Sequence, residues 1–264
     1  MIGLYLEAPA IAAPGLDGWS SSRPVLSGEQ SYRAEPLPDY MPDILPATAR
    51  RRGSASTRLA VQVAQESLIA STWPARDLTG VFASSIGDPY ITDQMCRAVA
   101  APEPVVSPIC FHNSVHNAPA GYWSIATGSL QPTSSLAAFD GTFAAGLLSA
   151  AAQCRGEGRP VLLVAYDLPY PEPLLHARPL LGPFAVALIL TPDRTGSSLL
   201  RCTLRLCEEG PATRMASPGL EALRTGNPAA RALPLLALMA APAPADIALD
   251  YLPQAGLTLE CHPC

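Results

Sequence analysis

The chain predicts an α/β fold, a mixed sheet with helices on both faces. Two observations carry this. Strand-like and helix-like segments alternate from residue 79 to residue 167, the order that builds parallel strands joined by crossover helices. The clearest strand, Pro160-Val161-Leu162-Leu163-Val164-Ala165-Tyr166-Asp167, closes that stretch. With 264 residues and 48% hydrophobic content, the chain has ample material for a packed core.

Residues 2 to 8 alternate loosely and suit a strand. Residues 14 to 46 form a long surface excursion rich in Pro, Ser, Gly and Asp. Its apolar content (Trp19, Val25, Tyr32, Leu37, Tyr40, Ile44, Leu45) is too high for disorder, so it is expected to lie against the body or a partner. Ser54 or Ser56 offers an N-cap to a helix reaching about Ser71, with Leu59, Ala60, Val63 and Ala64 at helical spacing.

Thr79 to Ser85 is a short buried strand ending in a small-residue turn, and a helix follows from about Tyr90 to Val99. Val105 to Phe111 is expected extended, Ser114 to Ala126 helical, Ser134 to Ala138 a strand and Gly141 to Cys154 an Ala-rich helix. Two more strands fall at about Phe184 to Leu190 and Leu199 to Cys207. Beyond Cys207 the text turns to Pro, Ala and Leu, with one helix expected between about Ala229 and Ala241 and a last strand near Leu257 to Cys261. There is no internal repeat.

Composition excludes several classes. A net charge of −5, with no basic run beyond Arg50-Arg51-Arg52, argues against nucleic acid. All seventeen basic residues are arginine, so no lysine is available for Schiff-base chemistry. Seven irregularly spaced cysteines do not form a secreted disulfide framework, and Met1 to Glu7 lacks a basic n-region, so a reducing, cytoplasmic setting is expected. The most apolar run, Ala229 to Ala241, is interrupted by Arg231 and Pro234 and falls short of the roughly 20 residues of a membrane span.

The most informative segment runs from Ser107 to Asp140. Its order is Ser107-Pro108, Asn117, Gly121, Gly128, Pro132, the polar strand Thr133-Ser134-Ser135-Leu136-Ala137-Ala138, then Phe139-Asp140-Gly141. This resembles, without a gap, the nucleophile region of the β-ketoacyl synthases: S-P, an asparagine ten residues on, A-G, G-x-x-G-P with Gln131 at the second glycine, and a strand running into T-A-C. Asp140 stands where that family keeps its cysteine. A helix N-terminus and nearby histidines hold that cysteine as thiolate; a carboxylate cannot accept and hand on an acyl group in the same way. The match supports the scaffold and argues against the reaction.

Arg50-Arg51-Arg52-Gly53-Ser54-Ala55-Ser56, Ser114 to Gly121 and the strand end Val164-Ala165-Tyr166-Asp167 narrow the resemblance. Together they look like the short β-ketoacyl synthase-like proteins that accompany type II polyketide systems, including chain-length-factor-like subunits of aryl polyene and xanthomonadin-type pathways. The resemblance covers about residues 46 to 192. It implies a thiolase-like fold in which residues 1–207 form one N-terminal-type half and 208–264 an extension rich in Pro, Ala and Leu. A complete ketosynthase resembles two such halves, with two catalytic histidines and a lysine in the second. Nothing after residue 192 resembles those histidine segments. Longer chain-length factors often carry glutamine at the nucleophile position, so Asp140 departs from that pattern too.

Each singled-out residue has a structural role to weigh against a functional one. Asp140 is placed to cap a helix N-terminus, or else to assist decarboxylation in a partner's site. His116 and Asn117 match a segment that, in ketosynthases, follows the dimer interface near the acyl pocket. An interface histidine with its hydrogen bonds satisfied competes there with a general base. Cys110, Phe111, Ser114, Val115, Ala118, Tyr122 and Trp123 suit plain packing, or by the resemblance a wall closing a shared acyl tunnel. Such a wall resists overfilling by roughly 1–3 kcal/mol. In the thiolase arrangement the strand of Ser134, Ser135 and Leu136 would pair with its counterpart across the two-fold. Cys261-His262-Pro263-Cys264 lacks a second pair at zinc spacing and reads as a mobile tail.

The resemblance implies a subunit without condensing activity of its own. It would pair with a full-length ketosynthase and shape its acyl tunnel, while an acyl carrier protein delivers chains on phosphopantetheine. No cofactor or metal would be bound by the chain itself. Two alternatives stand beside it: a divergent acyl-transfer or hydrolytic enzyme using Asp140 with His116, and a homodimeric carrier-protein-binding scaffold.

Overall fold

The computed structural model describes residues 1–208 and 210–264. The chain opens with β1 (Ile2–Ala13), β2 (Leu16–Asp17), α1 (Trp19–Leu26), α2 (Ala47–Arg52) and α3 (Ala55–Ile69). It continues through β3 (Thr79–Ala83), α4 (Pro89–Ala100), α5 (Pro108–Asn113), α6 (Ala118–Thr127), β4 (Thr133–Leu136), α7 (Thr142–Glu157) and β5 (Val161–Asp167). Then come α8 (Leu174–Ala177), β6 (Phe184–Thr191), β7 (Leu200–Cys207), α9 (Pro218–Gly226), α10 (Leu233–Ala240), β8 (Ala245–Leu252) and β9 (Ala255–Pro263).

All strands join one sheet, ordered β4-β3-β5-β6-β1-β7-β9-β8, with β2 beside β1. β4, β3 and β5 run parallel, and every other pairing is antiparallel. Each face of the sheet holds a core. Val161, Leu163 and Ala165 of β5 point into one with α7 and α10, whereas Leu162, Val164 and Tyr166 point into the other with α3 and α6. Burial on both faces explains why β5 and β6 read as unbroken apolar runs.

β1 shows how a bulge keeps both faces fed. Leu4 and Leu6 lie in the first core, but after the register shift between Glu7 and Ala10 that core takes Ile11 and Ala13 instead. One extra residue, with Ala8 at φ 49°, inverts the alternation. Gly146 lets α7 approach the sheet, because a Cβ there would sit 2.9 Å from that of Ala83.

The structure refines several sequence expectations. The 14–46 excursion does lie on the body: Tyr32 donates to the Pro14 carbonyl at 2.8 Å, and Leu45 is buried. It also holds α1, whose internal Pro24 obscures the helical pattern. Ser54 caps α3 by accepting from the Thr57 amide. Val105 to Phe111, expected extended, instead carries α5, whereas the helix expected over Ser114 to Ala126 is α6, beginning at Ala118; each is opened by a proline near its N-terminus, Pro108 and Pro119.

The C-terminal residues are not a tail. Cys261, His262 and Pro263 belong to β9, paired along β7 from Leu200↔Pro263 to Cys207↔Gly256. The hairpin of β8 and β9 extends the sheet, with Leu257, Leu259 and Cys261 facing the core and Glu260 and His262 facing out.

Candidate functional site

The junction of β4 and α7 is a sharp strand-to-helix elbow. β4 ends at Leu136, Phe139 takes the left-handed φ of 50°, a single 3-10 turn spans Phe139–Gly141, and α7 begins at Thr142. A bulky residue with positive φ is strained by on the order of 1–3 kcal/mol. Local bonds hold it: the Ala138 amide donates to Thr142 Oγ1 at 2.9 Å, and Thr142 Oγ1 donates to the Phe139 carbonyl at 2.7 Å.

Asp140 therefore does not cap the helix. Its Oδ1 accepts a 2.6 Å hydrogen bond from Arg178 Nη2, and the Arg178 guanidinium lies 3.8 Å over the centre of the Phe139 ring. The pair sits beside a cavity of about 630 Å³ lined in part by Asp140, Arg231, Asp250 and Tyr251. Burial holds the Arg231 guanidinium below its ordinary value, with the Asp140 carboxylate pulling the other way. Arg231 is itself paired with Asp250. Arg224 reaches Asp250 at 3.6 Å and grips Glu221 through two 2.8 Å bonds, which hold Glu221 down to about 2. A chain of alternating charges thus ties the elbow to the C-terminal segment.

Gly141 is the close approach that makes this possible. A Cβ there would lie 1.9 Å from the Tyr251 carbonyl oxygen, so the end of β8 packs directly beneath the elbow.

His116 lies elsewhere. Its Nε2 hydrogen-bonds the Ser84 carbonyl at 2.9 Å, and it lines a small cavity with Ser56, Asp88 and Tyr166. Ser84 Oγ in turn donates to Asp167 at 2.9 Å, joined by the Ser85 amide at 2.8 Å and the Ser85 hydroxyl at 3.0 Å. Even so, full burial pushes the Asp167 carboxyl up to about 7. Asp140 and His116 line different cavities and bond to different partners, so the geometry does not bring together the acid and base an enzyme would need.

The remaining expected residues divide by exposure. Phe111, Val115, Asn117, Ala118, Tyr122 and Ile125 share an open groove of about 560 Å³ on α5 and α6, with Phe111 at 64% and Ile125 at 79% exposure. Ser114 is exposed beside them, bonded to the Phe111 carbonyl. Trp123 departs from the expected wall: it is fully buried in the core with Leu59 and Val63 of α3. Cys110 is also buried, its thiol turned toward Gln94 of α4.

β4 is the last strand of the sheet. The carbonyls of Pro132 and Leu136 accept from Gly80 and Ser84 of the β3 side, so alternation turns the backbone groups of Thr133 and Ser135 outward. Among the described residues, no strand covers that edge.

Arg178, Arg231 and Asp167 carry the electrostatics here, yet no spacing motif marks either arginine in the sequence. Asp167 is visible as the polar end of an apolar strand and as part of the strand-end motif, but neither shows its buried bonds to Ser84 and Ser85.

The family model of the β-ketoacyl synthase N-terminal domain matches residues 26–237. No match is found among curated proteins. Among solved structures, one match is a chain of the complex of a ketosynthase, ApeO, with its chain length factor, ApeC, from Xenorhabdus doucetiae. It is 23% identical with a TM-score of 0.73, covering 98% of this chain and 100% of that one. The ishigamide ketosynthase/chain length factor aligns at 12% identity and TM-score 0.67, covering 99% of each chain. A third match is AntDE:AntF, a type II polyketide acyl-carrier protein in complex with its ketosynthase, at 11% identity and TM-score 0.73. It covers 98% of this chain and 99% of that one.

Proposed function

The chain belongs to the β-ketoacyl synthase family, and from that premise we propose that it is a non-catalytic, chain-length-factor-like subunit of a polyketide or polyene system. Its partner is a ketosynthase that supplies the cysteine and histidines. An acyl carrier protein brings the growing chain on phosphopantetheine. Residues 1–207 act as the thiolase half, and 208–264 as an extension that closes the elbow from below.

The observation that carries this reading is the elbow. The strand, the left-handed residue and the helix that would present a nucleophile are all retained, but the side chain at that point is Asp140, engaged by Arg178. The neighbouring open strand edge and apolar groove support a subunit made to be covered. Likeness in fold to ketosynthase and chain length factor complexes supports the same partner.

Reconstitution with a ketosynthase and carrier protein tests the role. Val115 is half exposed in the groove, so Val115→Phe adds bulk there without disturbing the core. It is expected to leave the complex intact and shorten the product. Unchanged product length in the intact complex would place the tunnel wall elsewhere.

A further inference from the structure

Cys202 and Cys261 stand directly opposite each other on the antiparallel strands β7 and β9, both fully buried, with their sulfurs 2.8 Å apart. Opposed residues of an antiparallel pair have Cα atoms about 4.5–5.5 Å apart, inside the span of roughly 4.4–6.8 Å that a disulfide bridges. We propose that this pair is a disulfide site, a covalent staple that fastens β9 to β7 without backbone movement.

Of the other cysteines, Cys96 and Cys207 are exposed, Cys110 turns toward α4 and Cys154 is buried in α7; Cys264, exposed past the end of β9, lies near Cys202 but is not opposed to it as Cys261 is.

The staple has a structural target. The two cysteines lie 59 positions apart, and the loop between them contains α9, α10 and β8. That loop carries Arg224, Arg231, Asp250 and Tyr251, the groups packed beneath the elbow. Closing it restricts the unfolded chain and favours the state in which the hairpin is docked.

Forming the bond joins Sγ of Cys202 to Sγ of Cys261 and releases two protons and two electrons. A low-molecular-weight disulfide accepts them and leaves as two thiols. Attack requires a thiolate, and the hydrogen bond with Cys261, with burial, holds the Cys202 thiol well above its ordinary range. Exchange therefore proceeds while the hairpin is open, either during folding or on transient release of β9.

The test treats the full chain with oxidised glutathione, both folded and during refolding from urea, then alkylates free thiols and maps peptides by mass spectrometry. The expected product is one cross-linked peptide pair, Cys202 with Cys261. Melting temperature should rise by roughly 5–15 °C and return with dithiothreitol. Cys202→Ala should show neither the link nor the rise. Alkylated Cys202 and Cys261, or glutathione adducts on either, after both treatments would overturn the proposal. So would a linked protein that melts no higher than the reduced one.

Discussion

Arg178 donates a 2.6 Å hydrogen bond to Asp140 while its guanidinium covers the Phe139 ring at 3.8 Å, so the carboxylate at the strand-to-helix elbow is held from above by a cation. Charge-assisted bonds of this kind are stronger than neutral ones, and the stacked guanidinium adds a cation–π contact.

A thiol at position 140 tests whether the cavity alone supports condensation. Among the described residues no histidine lines the cavity at Asp140, and the chain has no lysine. Asp140→Cys is expected to form no condensation product from carrier-bound substrates in the isolated protein: Arg178 and the α7 N-terminus favour a thiolate, but among the described residues no histidine lines the cavity to carry the proton transfers of condensation. Product analysis by mass spectrometry checks this, and elongation by the variant alone would refute it.

Gly141→Ala tests the floor of the site. A methyl group there meets the Tyr251 carbonyl, which belongs to backbone and cannot swing aside. A loss of at least about 1–3 kcal/mol is expected from urea denaturation. Gly158→Ala, at an open helix end with φ 64°, serves as a comparison governed by backbone strain rather than by the hairpin.

Asp167 makes stability depend on pH. Burial raises its carboxyl from an ordinary 3.8 to about 7 in the folded chain, so the folded state binds the extra proton between those values. Stability associated with this group is present at low pH and declines as pH rises from about 4 through 7. Asp167→Asn, which stays neutral, is expected to remove that decline, an effect on the order of a few kcal/mol at pH 8. Parallel thermal melts of both proteins from pH 5 to 8 would show the two curves converging toward acid; parallel curves would refute it.

Ser135 tests the open edge. Its backbone groups point away from β3, whereas those of Leu136 face it, so proline at 135 removes an outward donor and spares the pairing within the sheet. Ser135→Pro is expected to fold, with a circular dichroism spectrum like the parent's, and to fail to capture the proposed ketosynthase partner in pull-down. Undiminished capture would mean that the edge is not the contact.

Much of this fold was legible because burial writes itself into sequence. β5 and β6 are packed on both faces and read as apolar runs, and Ser54 announces α3 through its cap. What stayed hidden depends on contacts distant in the chain. β8 is stabilised by pairing with β9 and by its link to Thr213; Ile247, Leu249 and Tyr251 do alternate with Asp246, Ala248 and Asp250, but the Pro- and Ala-rich text before them hid this short strand. Asp140 was legible as the residue at the elbow, but its partner Arg178, 38 positions on, was not. The sequence pattern pointed to a helix cap, a local bond; the folded chain offered a cation instead, and Thr142 took over the local bonding.

The most direct measurement is the mass of what this chain forms with a full-length ketosynthase when the two are co-expressed and only one carries an affinity tag. Light scattering on the purified material should report equal numbers of the two chains, and the complex should persist through gel filtration. Recovery of this chain as a monomer or a homodimer, with the ketosynthase running separately, would contradict the account.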